Sequence, residues 1–460
     1  MRSCVAQCRH ARPRRRSPYR GLALVLVAAA TAARAQDTQL PPTLLLPNYD
    51  RVHPGLIEAL EAGAFIARAR NAPAVAYNPA GISVTDRTIL NASAQGYQLT
   101  VLGGTGFEHA SPVSSFESMP SFLGVVFGRD LIDWEAVRLG FAVVTPVHWD
   151  QSAVGNTEPE MGRRVSYSVH SIFSTTVPTF SVGWAVSSSI RLGASIELPY
   201  TSLSDQGQLS GEVSTATTNQ GSIRNVTAGG STLDLVGVVG AQWMALRWLQ
   251  LGILIRSPGL KLLTTGSLSI ESLSTLPSGS RHTYFSDTDA RFEYRSPMEV
   301  SVGAAFEFGR VQFEVDLRWH DGTRTYPLFS STKKGRLVDT TSGAPVVSSF
   351  DFPGLSYRAR PVLNGSVGAH VSLTQAVNLS AGVYLDQSPV DLLGQGFRRV
   401  DLFGFRTGVG LQQGAFGASV GVGWEHGKAA SDLAPDTIQA EHEELTLNTF
   451  SVLFSVSYKF

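Results

Sequence analysis

The sequence contains one five-residue match to a catalytic motif. Residues Gly417–Gly421 read GASVG, which fits the G-x-S-x-G pattern of serine hydrolases. That motif places its serine on a sharp turn between a strand and a helix. Ser419 lies instead inside a stretch of alternating residues that predicts the middle of a strand, and nothing places a histidine opposite it. We therefore interpret the match as chance.

A second candidate for chemistry is the acidic stretch Glu441–Glu444, EHEE. His442 in this stretch could bind a cation weakly, although a solvated loop is the favoured interpretation. The chain has no P-loop, no dinucleotide fingerprint and no H-E-x-x-H zinc motif. Both cysteines, Cys4 and Cys8, lie in an N-terminal segment that we expect to be removed. We therefore predict that the protein is not an enzyme and has no metal and no cofactor.

The elements that position these residues alternate with period two. In the last twelve residues, TFSVLFSVSYKF, large apolar groups occupy every second position and serine or lysine occupies most of the others. Val311–His320, Val377–Asp386 and Phe416–Glu425 repeat the pattern. Alternation places the apolar groups on one face of a strand. With 45 glycines, 16% charged residues and abundant Val, Ser and Thr, the chain is predicted to be all-β.

Tight turns and long polar loops alternate between the strand-like stretches. The short links are near 187–189, 246–247, 309–310, 374–376 and 413–414. The long polar stretches are near 103–117, 150–162, 203–230, 262–280, 321–357 and 427–444. Pairing each short link with a long one gives fourteen strands, which start near 88, 119, 136, 163, 190, 231, 248, 281, 311, 358, 377, 400, 415 and 445.

An even number of strands, with short turns at one end and long loops at the other, is typical of an antiparallel transmembrane β-barrel in an outer membrane. Lipid would cover the outward apolar side chains, and closure of the barrel would remove the sheet edges. A soluble β-sandwich also alternates and remains the alternative fold.

Several charged side chains fall on the face opposite the apolar one. Arg256 follows outward-facing leucines and isoleucines, and Glu314, Asp316 and Arg318 share one face of their strand. A charge on a lipid-exposed face costs about 2–4 kcal/mol at mid-depth, so we place all four inside the barrel. They either form an ion network that braces the interior, or Arg256 or Arg318 holds the carboxylate of an amphipathic ligand.

The first 35 residues have the order of a secretory signal peptide. Arginines precede the apolar run Gly21–Ala33, and Ala33-Arg34-Ala35 forms a small-residue cleavage pattern. The mature chain is expected to start at Gln36. Eight of the 37 basic residues and no acidic residue lie before it, which leaves 29 basic against 37 acidic residues and a net charge of −8. That balance argues against a nucleic-acid partner.

The C-terminus resembles the sorting signal of outer-membrane barrels. The chain ends on Phe460, and Tyr458 lies on the same face of the last predicted strand. We therefore expect periplasmic chaperones and the barrel-assembly machinery to be partners during export.

One N-terminal segment gives a specific family resemblance. GAFIARARNAPAVAYNPAG, Gly63–Gly81, resembles the N-terminal motif of the FadL-type outer-membrane transporters for long-chain fatty acids and hydrocarbons, which ends in Asn-Pro-Ala just before the first strand. Weaker matches to the family follow in the same order along the chain, at Pro120–Phe127, Val137–Pro146, Leu249–Pro258, Ser296–Phe306 and Leu379–Asp391.

The resemblance implies a fourteen-stranded barrel with a small N-terminal hatch in its lumen. It divides the chain into a signal peptide (1–35), an N-terminal extension and hatch (36–87) and a transmembrane barrel (88–460). Hydrophobic ligand would be captured near the outer loops, move to a site inside the barrel and leave sideways through a gap near a kinked third strand. The turn from hatch to barrel, which would take part in gating, would be Asn78, Pro79, Ala80 and Gly81.

The chain departs from the family pattern in two places. Arg68, Ala69, Arg70 and Asn71 stand where many members have a small Gly-rich segment with acidic residues. The prefix 36–53 has no counterpart that we can place. The family's ligand-contacting residues are therefore not transferred to this chain.

Pro146 belongs to the predicted third strand and cannot donate a ladder hydrogen bond. The simpler interpretation is that it ends the strand before the loop at 150. The functional alternative is a local break in pairing that leaves an opening in the wall toward lipid.

Together these observations predict passive uptake of hydrophobic small molecules, long-chain fatty acids or hydrocarbons, through a hatch-plugged barrel with lateral exit. The protein would be a monomer in the outer membrane of a Gram-negative-type bacterium, in contact with its ligand and with outer-membrane lipid. The alternatives are a general diffusion porin and, less favoured, an outer-membrane lipid hydrolase or a structural barrel.

Overall fold

The computed structural model describes residues 46–50, 52–103, 113–115, 119–157, 163–214, 219–352, 354–391, 399–431 and 443–460. The predicted signal peptide, residues 1–35, and His442 lie outside the described residues. Within the described ranges no helix is both long and apolar enough to cross a membrane.

Two short helices precede a long series of strands. They are α1 (Ala74–Tyr77) and a 3-10 helix (Pro79–Val84). The strands are β1 (Ile89–Gly103), β2 (Val113–Ser115), β3 (Met119–Phe127), β4 (Val137–Thr157), β5 (Arg163–Ala185), β6 (Ile190–Glu197), β7 (Tyr200–Ser214), β8 (Asn219–Leu246), β9 (Leu249–Arg256), β10 (Leu260–Leu276), β11 (Gly279–Asp287), β12 (Arg291–Phe292), β13 (Glu299–Phe308), β14 (Val311–His320), β15 (Tyr326–Ser330), β16 (Lys334–Asp339), β17 (Val346–Asp351), β18 (Leu355–Tyr357), β19 (Val362–Ser372), β20 (Val377–Asp386), β21 (Asp401–Gln413), β22 (Phe416–Ser431) and β23 (Glu443–Lys459).

The strands form one closed antiparallel barrel. Six of its fourteen wall strands consist of two segments each. The wall order is β1, β2 with β3, β4, β5, β6 with β7, β8, β9 with β10, β11 with β13, β14 with β16, β17 with β19, β20, β21, β22 and β23. The first and last strands pair directly, with Leu90 opposite Tyr458, so the sheet has no edge there. The predicted fourteen-stranded antiparallel barrel is confirmed.

The wall has its apolar face outside and its polar face inside. In β23, Phe454 is 49% exposed whereas its neighbour Ser455 is 4% exposed. The same inversion occurs in β14, where Leu317 is exposed and Asp316 is fully buried. A soluble sandwich would bury the apolar set instead. The faces predicted from alternation are therefore confirmed, and the arrangement is that of a barrel surrounded by hydrocarbon.

Three of the predicted long loops are in large part strand, and one of them is 150–162, where β4 continues to Thr157. We expected loops at 203–230 and 262–280, whereas β7 continues to Ser214, β8 begins at Asn219 and β10 covers Leu260–Leu276. These stretches are rich in Ser, Thr and Gly, so they lack an apolar face. Their backbones still satisfy each other by pairing, for example Gln208 with Asn225. The prediction was wrong because polarity alone does not prevent a ladder.

The stretch 321–357, also expected to be a loop, contains two structures. β16 and β17 extend the wall as a hairpin. β12, β15 and β18 form a separate three-stranded sheet. This small sheet contributes Phe292, Phe329 and Tyr357 to a buried apolar cluster at the long-loop end of the barrel, which we call the inner apolar cluster.

The described part of residues 46–87 lies inside the barrel and is almost completely buried. Its backbone approaches the wall at inward glycines, where an added Cβ would come within 3 Å of an atom of this N-terminal segment. Only glycine leaves room for such close approach. We call these residues the glycine belt: Gly140, Gly183, Gly193, Gly240, Gly252, Gly303, Gly368, Gly382, Gly408 and Gly421.

Pro146 does not end its strand. β4 runs on to Thr157, and the register between β4 and β5 shifts between Val144 and Val147, which leaves Thr145 and Pro146 in a bulge. The simpler sequence interpretation was therefore wrong. A bulge absorbs the missing N–H without stopping the strand, as expected of proline within a sheet.

Candidate functional site

The N-terminal segment is anchored to the wall through Asn78. This side chain is fully buried, and its Nδ2 donates to the carbonyl oxygens of Ile66 (3.0 Å), Ala241 (3.1 Å) and Ile253 (3.3 Å). Its Oδ1 accepts from the N–H of Ala80 at 3.2 Å and so caps the 3-10 helix. One amide thus joins the segment, two wall strands and the start of the next turn.

The residues after Asn78 lie directly against the wall. Pro79 occupies the first helical position, where its fixed φ and missing N–H are tolerated. Pro79 and Ala80 contact the Cβ positions of Gly183 and Gly193, and Gly81 packs on the backbone of Ala69. Asn78, Pro79, Ala80 and Gly81 are each buried between the segment and the barrel, and their role in gating stays a prediction.

Two carboxylates of β14 bind the backbone of the segment. Asp316 Oδ2 accepts from the N–H groups of Phe65 (2.7 Å) and Ile66 (3.1 Å), and Glu314 Oε1 accepts from Ala67. Glu314 also pairs with Arg68, whose Nε lies 2.9 Å from its Oε2. Charge-assisted bonds of this kind are stronger than neutral ones. They fix the middle of the segment on the wall.

Arg256 and Arg318 point inward, as predicted, and both are ion-paired. Arg256 binds Glu197 through two nitrogens, at 2.9 and 3.0 Å, and also pairs with Glu299. Arg318 lies 3.2 Å from Asp50 and donates to the carbonyl oxygen of Gly63. These are the contacts of a bracing network. Binding of a ligand carboxylate by either arginine stays a prediction.

Ionisable groups of the segment are perturbed by their burial in the lumen. Burial raises the pKa of Asp50, but the charges of His320 and Arg318 hold the pKa well below its usual range. Burial and the charge of Arg406 hold the pKa of His53 well below its usual range. The surroundings of the segment therefore favour the neutral form of His53 and the ionised form of Asp50.

Among the described residues, backbone pairing between β3 and β4 stops short of Pro120 and Pro146, and we call this place the wall break. The pairing ends with Phe122 opposite Val144, and continuing that register would place Pro120 opposite Pro146. Neither proline can donate a hydrogen bond. β3 has its own irregularity at this level, since Ser121 is skipped in the pairing with β1. Among the described residues, β4 beyond Val144 pairs only with β5.

The N-terminal segment contacts this wall break from inside. Val52 donates its N–H to the carbonyl oxygen of Pro146 at 2.9 Å. Gly55 donates to Ser93 Oγ at 3.1 Å, and Ser93 is hydrogen-bonded to Ser121 at 2.8 Å. The first strand residues past the break, Val147 and Trp149, belong to the inner apolar cluster. Apolar interior, segment and wall break are therefore contiguous.

The catalytic motif has no exposed serine. Ser419 lies within β22, as predicted, and its Oγ contacts the carbonyl oxygen of Leu56 at 2.9 Å and Ser455 Oγ at 2.7 Å. The segment covers it. No group of three or more potential metal-binding side chains is found in the described ranges.

Sequence reasoning placed the inward charges correctly but missed their main partner, the backbone of residues 65–67. It also missed the glycine belt. The signal for the belt was present, because many glycines fall at inward positions of the alternating pattern, as Gly193 and Gly240 do. Glycine repeated on one face of a strand indicates close backbone approach.

Comparison with known proteins gives a likeness in structure only. No protein-family model matches the sequence, and no curated protein does. Solved structures that resemble the chain include the P. putida toluene transporter TodX (13% identity, 88% of this chain and 98% of that chain, TM-score 0.57). The CymD monoaromatic hydrocarbon channel gives 12% identity, 88% and 97% coverage and a TM-score of 0.56. A Pseudomonas aeruginosa FadL homologue gives 14% identity, coverage of 90% of this chain and 99% of that chain, and a TM-score of 0.54.

The likeness extends over nearly the whole of each matched chain. At identities of 12–14% it is evidence for the fold and not for the ligand. The resemblance seen in Gly63–Gly81 is confirmed at that level: the chain has the fold of the FadL-type channels.

Proposed function

We propose that the protein is an outer-membrane channel for passive uptake of hydrophobic small molecules, with the N-terminal segment as its hatch and lateral exit through the wall break. The observation that supports this most is the contact between Val52 and Pro146. It joins the segment that fills the lumen to the one place in the described wall where β3 and β4 stop pairing.

The inner apolar cluster supports a hydrophobic ligand. It lies at the long-loop end, and its members Val147 and Trp149 continue directly from the bulge. Transfer of apolar surface from water into such surroundings is favourable by roughly 25 cal/mol per Å². A ligand that entered the cluster would reach the break at Val147, beside the hydroxyl groups of Ser93 and Ser121. The names of the matched structures, a toluene transporter and a monoaromatic hydrocarbon channel, point to the same class.

A general porin is the second candidate, because polar residues line the inner wall. The packed lumen disfavours it: Glu314 and Asp316 of the wall are fully buried against the segment, and Asn78 of the segment is fully buried against the wall. A lipid hydrolase is disfavoured by the covered position of Ser419.

The test is uptake of radiolabelled oleate and toluene by liposomes that contain the mature protein, alongside planar-bilayer conductance of the same preparation. We expect uptake of at least one hydrophobic compound with little ion conductance. Steady conductance without hydrophobic uptake would contradict the proposal and identify a porin.

A further inference from the structure

A second cavity lies at the opposite end of the barrel from the inner apolar cluster. It has a volume of about 240 Å³ and opens between the N-terminal segment and the tight turns. Wall residues that line it stand within a few positions of those turns: Arg191 near the start of β6, Gln312 near the start of β14 and Glu307 near the end of β13. The segment contributes Arg68, Arg70 and Val84.

The three arginines of this cavity differ in whether a carboxylate forms an ion pair with them. Arg68 is paired with Glu61 and Glu314. In the described part of the chain, Arg70 and Arg191 have no carboxylate within 4 Å, and Arg191 makes only a long bond of 3.4 Å to Gln242. Glu307 lines the cavity but forms no ion pair with either arginine among the described residues. One acidic group thus faces two unpaired cations.

The remaining lining adds amide donors and an apolar wall. Gln250 and Gln312 supply amides, and Met244, Ala305 and Val84 supply apolar contacts. The cavity volume of about 240 Å³ is enough for several water molecules. That volume suits a carboxylate attached to a short chain or one ring. Guanidinium groups match the planar, bidentate geometry of carboxylates.

We propose that this cavity is a binding site for organic carboxylates, held by Arg70 and Arg191, at the short-turn mouth of the barrel. The carboxylate belongs either to a small free acid or to the head of a longer acid whose chain projects from the cavity. The site is separate from the hydrophobic path proposed above, since it lies at the other end of the lumen. Binding at equilibrium tests it without any transport, so the two proposals fail independently.

The probe is 6,6,6-trifluorohexanoate, with 6,6,6-trifluorohexanol as its uncharged match, followed by ¹⁹F NMR line broadening in an uncharged detergent. Protein-free micelles give the background. We expect the mature protein to bind the acid more tightly than the alcohol. The R70Q/R191Q double variant should weaken acid binding at least tenfold and leave alcohol binding within twofold. Arg324→Gln, an exposed arginine near the long loops, is the matched control and should change neither.

The Glu307→Gln variant distinguishes an effect on carboxylate binding from misfolding of a variant. Removing this exposed carboxylate takes away the acidic group that lines the cavity, so acid binding should tighten about threefold, which a misfolded variant would not imitate. Equal binding of acid and alcohol, unchanged acid binding in the double variant, or no gain in the Glu307 variant would each overturn the proposal. Decanoate then identifies the source: displacement of the probe supports a long acid's head, and failure to displace it supports a small acid.

Discussion

At the scale of single residues, Asn78 is the position where one side chain joins the segment to two strands of the wall. Its amide is the donor to three carbonyl oxygens that belong to the segment and to two wall strands. Removing a buried hydrogen-bonding group costs about 1–3 kcal/mol. We therefore expect Asn78→Ala to lower the midpoint of urea unfolding. Asn78→Asp should lower it further, because a carboxylate cannot donate and would face three carbonyl oxygens.

Asn225→Ala is the matched control, since Asn225 is exposed on the polar extension of β8. Its midpoint should equal that of the parent protein. Equal midpoints for the Asn78 and Asn225 variants would mean that the anchor contributes nothing to stability.

His53 gives the docked segment a pH dependence. It is buried, Arg406 and Arg318 disfavour its charged form, and Asp50 favours it. The pKa of His53 is lower in the folded protein than in the unfolded chain, where it is about 6.5. The free energy of unfolding is therefore unaffected by His53 well above pH 6.5, and it decreases as the pH falls below that value. The pKa of Asp50 is also lowered, so this group reduces the stability of the folded protein only below about pH 4. Burial raises the pKa of Glu58, which has the opposite sign and offsets part of the loss in acid.

The measurement is the urea midpoint between pH 7.5 and 5.5, for the parent protein and for His53→Gln. We expect the parent to lose stability over this range and the variant to lose less. Identical slopes would show that His53 is not the titrating group.

At the scale of elements, the proline pair of β3 and β4 is the feature to test. Substituting valine at Pro120 and Pro146 restores two N–H donors and adds two strong strand formers. We expect pairing to extend past Phe122 and Val144, and uptake of hydrophobic compounds into liposomes to fall several-fold. Pro178→Val is the matched control, because Pro178 lies in β5 opposite Val143, where the pairing with β4 is intact, and its substitution leaves both prolines of the break in place.

Unchanged uptake in the double variant, with the barrel still folded, would exclude the wall break as the exit. Loss of uptake in Pro178→Val as well would point to a general effect of replacing wall prolines.

The same elements indicate how far sequence reasoning extends. The alternating stretches were placed well, as in β14 and β23, because lipid outside and polar groups inside impose a strict period of two. β7 and the first half of β8 were missed, since strands that extend beyond the apolar belt need no apolar face. The break at Pro146 could be anticipated from proline chemistry. Its partner Pro120 could not, because register is a property of two strands and not of one.

At the scale of the whole molecule, the fold is a barrel whose inner face is polar and whose lumen is filled by the N-terminal segment. The glycine belt lets the segment backbone lie against the wall, and inward carboxylates such as Asp316 satisfy its N–H groups. Buried polar groups need such partners. Under the proposed uptake function, a ligand in this packed lumen has two candidate exits: sideways through the wall break, or past a displaced segment toward the tight turns.

A disulfide distinguishes these two exits. The side chain of Leu60 reaches the Cβ position of Gly421 on β22, so the two positions are neighbours and cysteines there are the pair to test for a disulfide. A Cβ at Gly421 also lies 2.6 Å from the carbonyl oxygen of Thr407, so the single G421C variant must first be shown to fold. Both natural cysteines, Cys4 and Cys8, lie in the predicted signal peptide, so a protein produced from Gln36 onward has no competing thiol. This site is on a different strand from the Val52–Pro146 contact and does not block the break.

We expect the oxidised L60C/G421C protein to take up oleate or toluene at the parental rate, within twofold, because lateral exit does not require the segment to leave the lumen. The comparison is made in one liposome preparation before and after reduction, with each single-cysteine variant as control for the substitutions themselves. Uptake that is lost on oxidation and recovered on reduction would mean that the segment must move away from β22. The ligand would then leave past the segment, and the break between β3 and β4 would have a structural role only.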